Sequence, residues 1–223
     1  MMSTVIAYLP QLLHGLGISL LVALGSFFCG LMAAIVLAPL AIYAPSPVRK
    51  AISLYVGLIR GLPELLVIFL IFYGGTVLLT KIAGQYIEVN AITAGIAALS
   101  FVSAAYLTEI LRGALLSVSS GQWEAAMALG IRRPRAFRLI ALPQMMARAL
   151  PGLGNQWLVI LKESALVSII GLEELMRMSV VAAGATRQPL AFYLTAAALY
   201  IAVTGVSTLL IRAYAAHLTP QTR

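Results

Sequence analysis

The sequence contains no aspartate, two histidines and one cysteine. His14 and His217 stand near opposite ends of the chain, so neither a Ser/His/Asp triad nor a metal cluster can be built from them. A membrane-embedded enzyme needs such groups at depth, and that class is set aside. Cys29 has no partner for an internal disulfide and reads as a small buried hydrophobe within the first apolar run. None of the three lysines follows a glycine, which excludes the phosphate loop G-x-x-x-x-G-K-[ST]. Charge is also scarce, at 10% of residues, where a soluble domain carries about a quarter.

What is present is apolar: 61% of the residues are hydrophobic. Segments 16–42, 65–80, 89–108 and 188–211 carry no charged residue, and 149–172 is interrupted only by Lys162 and Glu163. About 20 apolar residues cross the hydrocarbon core as a helix. A membrane barrel would alternate apolar and polar residues instead. The reading is an all-α integral membrane protein forming a single transmembrane domain over 1–223. Its spans are predicted near 16–43, 54–80, 91–116, 146–172 and 190–213. No basic segment precedes the first run, so it is expected to be retained and not cleaved. Residues 4–13 are expected to lie as an interfacial helix. No internal repeat, broken-helix half or filter-like glycine run points to a channel or a self-contained secondary transporter.

The net charge of +8 sits in short segments between the apolar runs, which is membrane topology and not a nucleic-acid footprint. One set of segments holds eleven basic residues (Arg49, Lys50, Arg60, Arg112, Arg132, Arg133, Arg135, Arg138, Arg148, Arg212 and Arg223). The other holds three, Lys81, Arg177 and Arg187. The positive-inside rule therefore places the N-terminus outside and the C-terminus inside.

The longest connection, 117–145, lies on the cytoplasmic side in that topology. Glu124 to Leu129 has helix-forming composition. Gly130 is suited to a left-handed turn ending that helix, and Pro134 to starting a second short helix through Phe137 and Leu139. Pro143 and Pro151 bracket the approach to the fourth span. Ala125 and Ala126 permit close approach of another backbone. Read from the residues alone, this is an amphipathic connector on the membrane surface.

Glu124, Ala125, Ala126, Gly130, Ile140, Leu142 and Pro143 also fill, at the family's spacing, the loop signature of importer-type ATP-binding-cassette permeases, which this chain resembles. The segments beginning at Arg60-Gly-Leu-Pro-Glu, Ala104-Ala-Tyr-Leu-Thr-Glu and Ala149-Leu-Pro-Gly-Leu-Gly-Asn-Gln-Trp resemble the second, third and fourth spans of polar-amino-acid permeases, those for histidine and arginine above all, whose relatives include opine permeases. Glu163-Ser164 departs from the family's usual Asp-Thr or Ala-Thr, which leaves the substrate open. The resemblance implies a type I importer permease fold and a loop that acts as a coupling helix on a cytoplasmic ATPase. It implies two ATPase subunits that hold ATP and Mg, a second permease, identical or related, and a periplasmic or surface substrate-binding protein. It also implies a bacterial inner membrane and no cofactor bound by this chain.

Candidate residues for the path follow from depth. An ionisable group inside a span is functional by default. Lys162 and Glu163 are such a pair: Glu163 is suited to holding an ammonium or guanidinium, or the two fix helix packing. Ser164 adjoins them. Pro151, Gly152 and Gly154 suggest a broken helix beside a cavity, or an ordinary kink. Asn155 and Gln156 bond neighbouring helices or line the path. Trp157 is a gate or a packing residue, and Tyr106 is a further path candidate. Glu109 and Arg112 are spaced for a structural salt bridge. Arg60 and Glu64 read as structural, with Pro63 in a first helical turn and Glu64 complementing its dipole. Glu173 and Glu174 read as a solvated helix end, or as a contact for the binding protein.

Overall fold

A computed structural model describes residues 2–218; Arg223 and the side chain of His217 lie outside what it describes. The described residues are helical almost throughout. In order they form α1 (Met2–Tyr43), α2 (Ser46–Gly61), α3 (Glu64–Ala83), α4 (Ala91–Leu116), α5 (Ser120–Ala128) and α6 (Arg133–Ala136). A π-helical turn, Phe137–Ala141, leads into α7 (Leu142–Glu163). A 3-10 segment, Ser164–Ile170, follows, then α8 (Leu175–Thr186) and α9 (Pro189–Leu218). Among the described residues, five helical segments have the length and composition to cross a membrane: Ser3–Tyr43, Glu64–Ala83, Ala91–Leu116, Arg133–Ile170 and Pro189–Ala216.

The expected spans shift in three places. First, no separate interfacial helix forms over 4–13, because α1 runs unbroken through Pro10 to Tyr43. Leu12 and Leu16 hold that end in an apolar cluster with Leu175, Met178 and Phe192. Second, the segment expected at 54–80 is divided. Pro63 supplies no N–H, and the residue before a proline is driven out of the helical region. Leu62 is accordingly extended (φ −96°, ψ 143°) and closes α2. Third, the fourth span begins before 146: α6, the π turn and α7 form one continuous stretch from Arg133 to Ile170.

The long helix α1 packs along α4 as the main axis of the bundle. Ala34 and Ala38 meet Leu107, Leu111 and Ala114 there. Helix α2 returns along α4, with Ile52, Val56 and Ile59 against Val102 and Ala105. The α5–α6 segment sits with the last turns of α1 and α4 at one end of the bundle. Helix α8 packs on the first half of α1 at the other end. Cys29, expected to be buried, is exposed. It shares an outward α1 face with Phe28 and Met32, because the interior face of that helix is taken by Ser26 and Gly30 against α4.

Candidate functional site

Two helix discontinuities carry charged residues. At the first, α2 carries Arg60 in its last turn and α3 begins with Glu64, on either side of the Leu62–Pro63 break. Glu64 stands in the first turn of α3, where a carboxylate complements the helix dipole. At the second, α7 gives way to the 3-10 segment at Glu163. The two meet at Tyr106 of α4. The Arg60 guanidinium lies 5.4 Å from the centroid of the Tyr106 ring, close enough for a cation–π contact. Tyr106 lies within electrostatic range of both Glu64 and Glu163, and Glu163 within range of Glu64 and Lys162.

The sequence assigned Arg60 and Glu64 to a purely structural role, with i, i+4 spacing on one helix. The break places them on separate helices, and Arg60 turns to the Tyr106 ring. The sequence reading of Arg60 and Glu64 did not anticipate the approach of Arg60 to Tyr106 or of Glu64 to Glu163. The available signal was an ionisable pair flanking a proline inside an apolar segment.

Of the two readings of Pro151–Gly154, a helix break or an ordinary kink, the break is not found: α7 is helical from Leu142 to Glu163 with Pro151 inside it. The glycines serve packing. A Cβ on Gly152 would lie 2.9 Å from Ile110 of α4, and one on Gly154 would lie 2.7 Å from Ile211 of α9. The backbone departure from α-helical geometry that was expected there occurs at Leu62 and after Glu163 instead.

The other path candidates divide between faces of α7. Asn155 and Lys162, about two helical turns apart, are both exposed. Gln156 and Glu163 share another face: Gln156 is buried, and Glu163 half-buried. The Gln156 amide nitrogen has no hydrogen-bond partner. Ser164 is fully buried and donates to the Leu161 carbonyl oxygen (2.8 Å). Trp157 packs edge-on against Phe27 at 5.9 Å between centroids. Glu109 and Arg112 form the expected i, i+3 bridge, with 2.9 and 2.5 Å contacts.

The acidic pair Glu173–Glu174 is not one solvated end. Glu173 is exposed, but Glu174 is fully buried. It caps α8 by accepting the Arg177 N–H (2.8 Å) and accepts hydroxyl hydrogens from Ser19 (3.0 Å) and Tyr200 (3.2 Å). Burial pushes its carboxyl above the usual range against the pull of these donors. An N-cap acceptor is favoured at this position, and the docking of α1 and α9 encloses it.

The 117–145 segment folds as its residues suggest in outline. Helix α5 ends in a left-handed Gly130 (φ +72°). The Gly130 N–H bonds to the Met127 carbonyl oxygen (2.9 Å) and the Ile131 N–H to that of Ala126 (3.0 Å), the pairing that seals a helix C-terminus. Pro134 starts α6. Glu124 and Ala125 are exposed, whereas Ala126 is buried within the chain's own fold. Only one of the two alanines is open to another backbone.

Residues 8–223 match the family described as "Binding-protein-dependent transport system inner membrane component". The chain is 44% identical over 165 residues to the arginine ABC transporter permease protein ArtQ of Haemophilus influenzae, covering 74% of this chain and 75% of that one. It is 42% identical over 202 residues to the octopine transport system permease protein OccQ of Rhizobium meliloti, covering 88% and 85%. A crystal structure of an amino acid ABC transporter with histidines superposes with a TM-score of 0.84 at 32% identity, over 95% of this chain and 96% of that one.

Proposed function

The chain belongs to the family of binding-protein-dependent transport system inner membrane components, and from that premise we propose that it is the permease of an ATP-driven importer whose cargo is a cationic amino acid. The observation that carries the cargo is the acidic cluster formed by Glu64 and Glu163 beside Tyr106. Two carboxylates near one another repel. A guanidinium or ammonium placed between them relieves that repulsion and forms charge-assisted hydrogen bonds. Discontinuous helices beside a transport path are a recurrent means of presenting such groups away from lipid. Gln156 supplies an unpaired amide donor for the carboxylate end of an amino acid. An opine is the second reading, favoured by the 42% identity to an octopine permease over most of the chain.

The partners follow from the same premise. A binding protein delivers cargo at the end that carries α8, and a second permease completes the path. Two ATPase subunits, which hold ATP and Mg, dock on the 117–145 loop through the exposed face of α5 at Glu124 and Ala125. Gly130, Ile140, Leu142 and Pro143 set that loop's shape and its connection to α7. The N-terminus faces out and the C-terminus in, following the excess of basic residues at the loop end.

The test is ATP hydrolysis by the tagged protein purified gently from its native membrane with its co-purifying subunits. Arginine, histidine, lysine, glutamine and an opine are added in turn with the binding protein. Stimulation by a cationic amino acid supports the reading, and stimulation only by the opine shifts the cargo. Purification without any ATPase subunit overturns the partnership.

A further inference from the structure

A large cavity lies away from the acidic cluster. It is a half-open groove of about 860 Å³ at the loop end of the bundle, bounded by α1, α4, the α5–α6 segment and α7. Its walls are apolar, with Leu31 and Ile35 of α1, Leu111 of α4, and Met145, Met146 and Leu153 of α7 in the lining. Along α1 the lining runs from Leu31 to Tyr43, about 18 Å at helical rise. That is close to the thickness of one leaflet's hydrocarbon, about 15 Å. The mouth is different in character. Tyr43, the exposed last residue of α1, and the exposed Arg133 line it together with Trp123, and Trp123 is stacked on Phe137 with 6.5 Å between centroids. Aromatic rings with a basic side chain mark the headgroup level of a bilayer. Arg133 makes no ion pair among the described residues, and Arg132, Arg135 and Arg138 add positive charge around it.

We infer that this groove holds an anionic phospholipid of the inner leaflet, with an acyl chain along α1 and its phosphate at Arg133. Three features select a lipid over a protein occupant. The groove is one leaflet long, its depth is apolar without a polar partner for a peptide backbone, and its single charged group sits at the headgroup end. The lipid would brace the α5–α6 segment against α1 and α7. The bound leaflet rests on the orientation proposed above, but the occupancy does not.

The experiment uses the full chain in nanodiscs with a Trp157→Phe substitution, so that Trp123 is the only indole. Brominated phosphatidylglycerol or brominated phosphatidylcholine is titrated into an unbrominated zwitterionic bilayer, and Trp123 quenching is read. The expected result is half-maximal quenching at an about fivefold lower fraction of the anionic lipid, the equivalent of about 1 kcal/mol for one arginine at an anionic headgroup. Arg133→Gln abolishes the preference, Arg133→Lys retains it, and Arg187→Gln at the other end leaves it unchanged. Equal quenching by the two lipids, or a preference indifferent to Arg133→Gln, overturns the inference. So does a Trp123 shielded from both lipids, which would mean that protein fills the groove. Nanodiscs present lipid on both faces, so failure here concerns the groove and leaves the orientation and the importer reading untouched.

Discussion

The Ser19 hydroxyl of α1 lies 3.0 Å from the Glu174 carboxylate that caps α8, 155 residues away in sequence. Its single hydrogen has a second acceptor in the Gly15 carbonyl oxygen (3.2 Å), and its oxygen accepts the Leu175 N–H (3.2 Å). With Tyr200 donating from α9, three helices are tied to one buried carboxyl. A hydrogen bond to a charged group contributes about 1.5–3 kcal/mol, and a buried donor left unpaired costs about 1–3 kcal/mol. Glu174→Ala therefore lowers thermal stability in detergent well beyond Glu173→Ala, whose side chain is exposed. Equal melting temperatures for the two variants would show that this network contributes nothing.

The same residue gives a pH dependence. Burial raises its carboxyl above the usual range in the folded protein, so the fold binds this proton more tightly than the unfolded chain does. The stabilisation is complete below the ordinary carboxylate value of about 4.3. It is lost as pH rises through the raised folded value. The melting-temperature advantage of wild type over Glu174→Gln should thus shrink as pH rises from that range toward neutrality. An advantage that grows with pH would mean that hydrogen bonding outweighs burial.

Glu163→Gln removes one of the two carboxylates near Tyr106. Loss of a charge-assisted contact of about 1.5–3 kcal/mol corresponds to an about 10- to 100-fold weaker response of ATP hydrolysis to a cationic amino acid. Glu64→Gln should act in the same direction. The two together should fall short of the sum, since they share one ligand. Unchanged cargo preference in both single variants would remove the cluster from the path.

Gly130 separates geometry from contact. Nothing lies within 4 Å of a Cβ built there, but its φ is +72°. Gly130→Ala then meets only the left-handed penalty of about 1–2 kcal/mol. Gly130→Asn, better tolerated in that region, should be milder. Gly130→Asp adds charge at the docking face and is expected to block transport and uncouple ATP hydrolysis while the protein still inserts. Wild-type transport by Gly130→Asp would refute the coupling role.

Sidedness is accessible by labelling in a Cys29→Ser background. Glu124→Cys should react with an impermeant maleimide only from the cytoplasmic side, and Glu173→Cys only from outside. Both parent residues are exposed at opposite ends of the bundle. The reverse pattern would invert the topology.

Much of the molecule was legible in the residues themselves. Unbroken apolar length dictates transmembrane helices because a backbone in lipid must satisfy its own hydrogen bonds. The Gly130 turn, the Pro134 helix start and the Glu109–Arg112 bridge are local, decided within a few residues, and each is found where the sequence places it. What depends on contact between distant segments was not legible. Gly152 and Gly154 resemble a helix break in one dimension, yet Ile110 and Ile211 require their small size in three. Glu174 resembles its exposed neighbour Glu173 until α1 and α9 close over it. Glu64 and Glu163 stand 99 residues apart, and only the packing of α3, α4 and the end of α7 brings them within electrostatic range. Sequence determined the helices because their hydrogen bonds are local. Tertiary structure decided which faces meet, because side-chain packing couples residues that the chain itself keeps far apart.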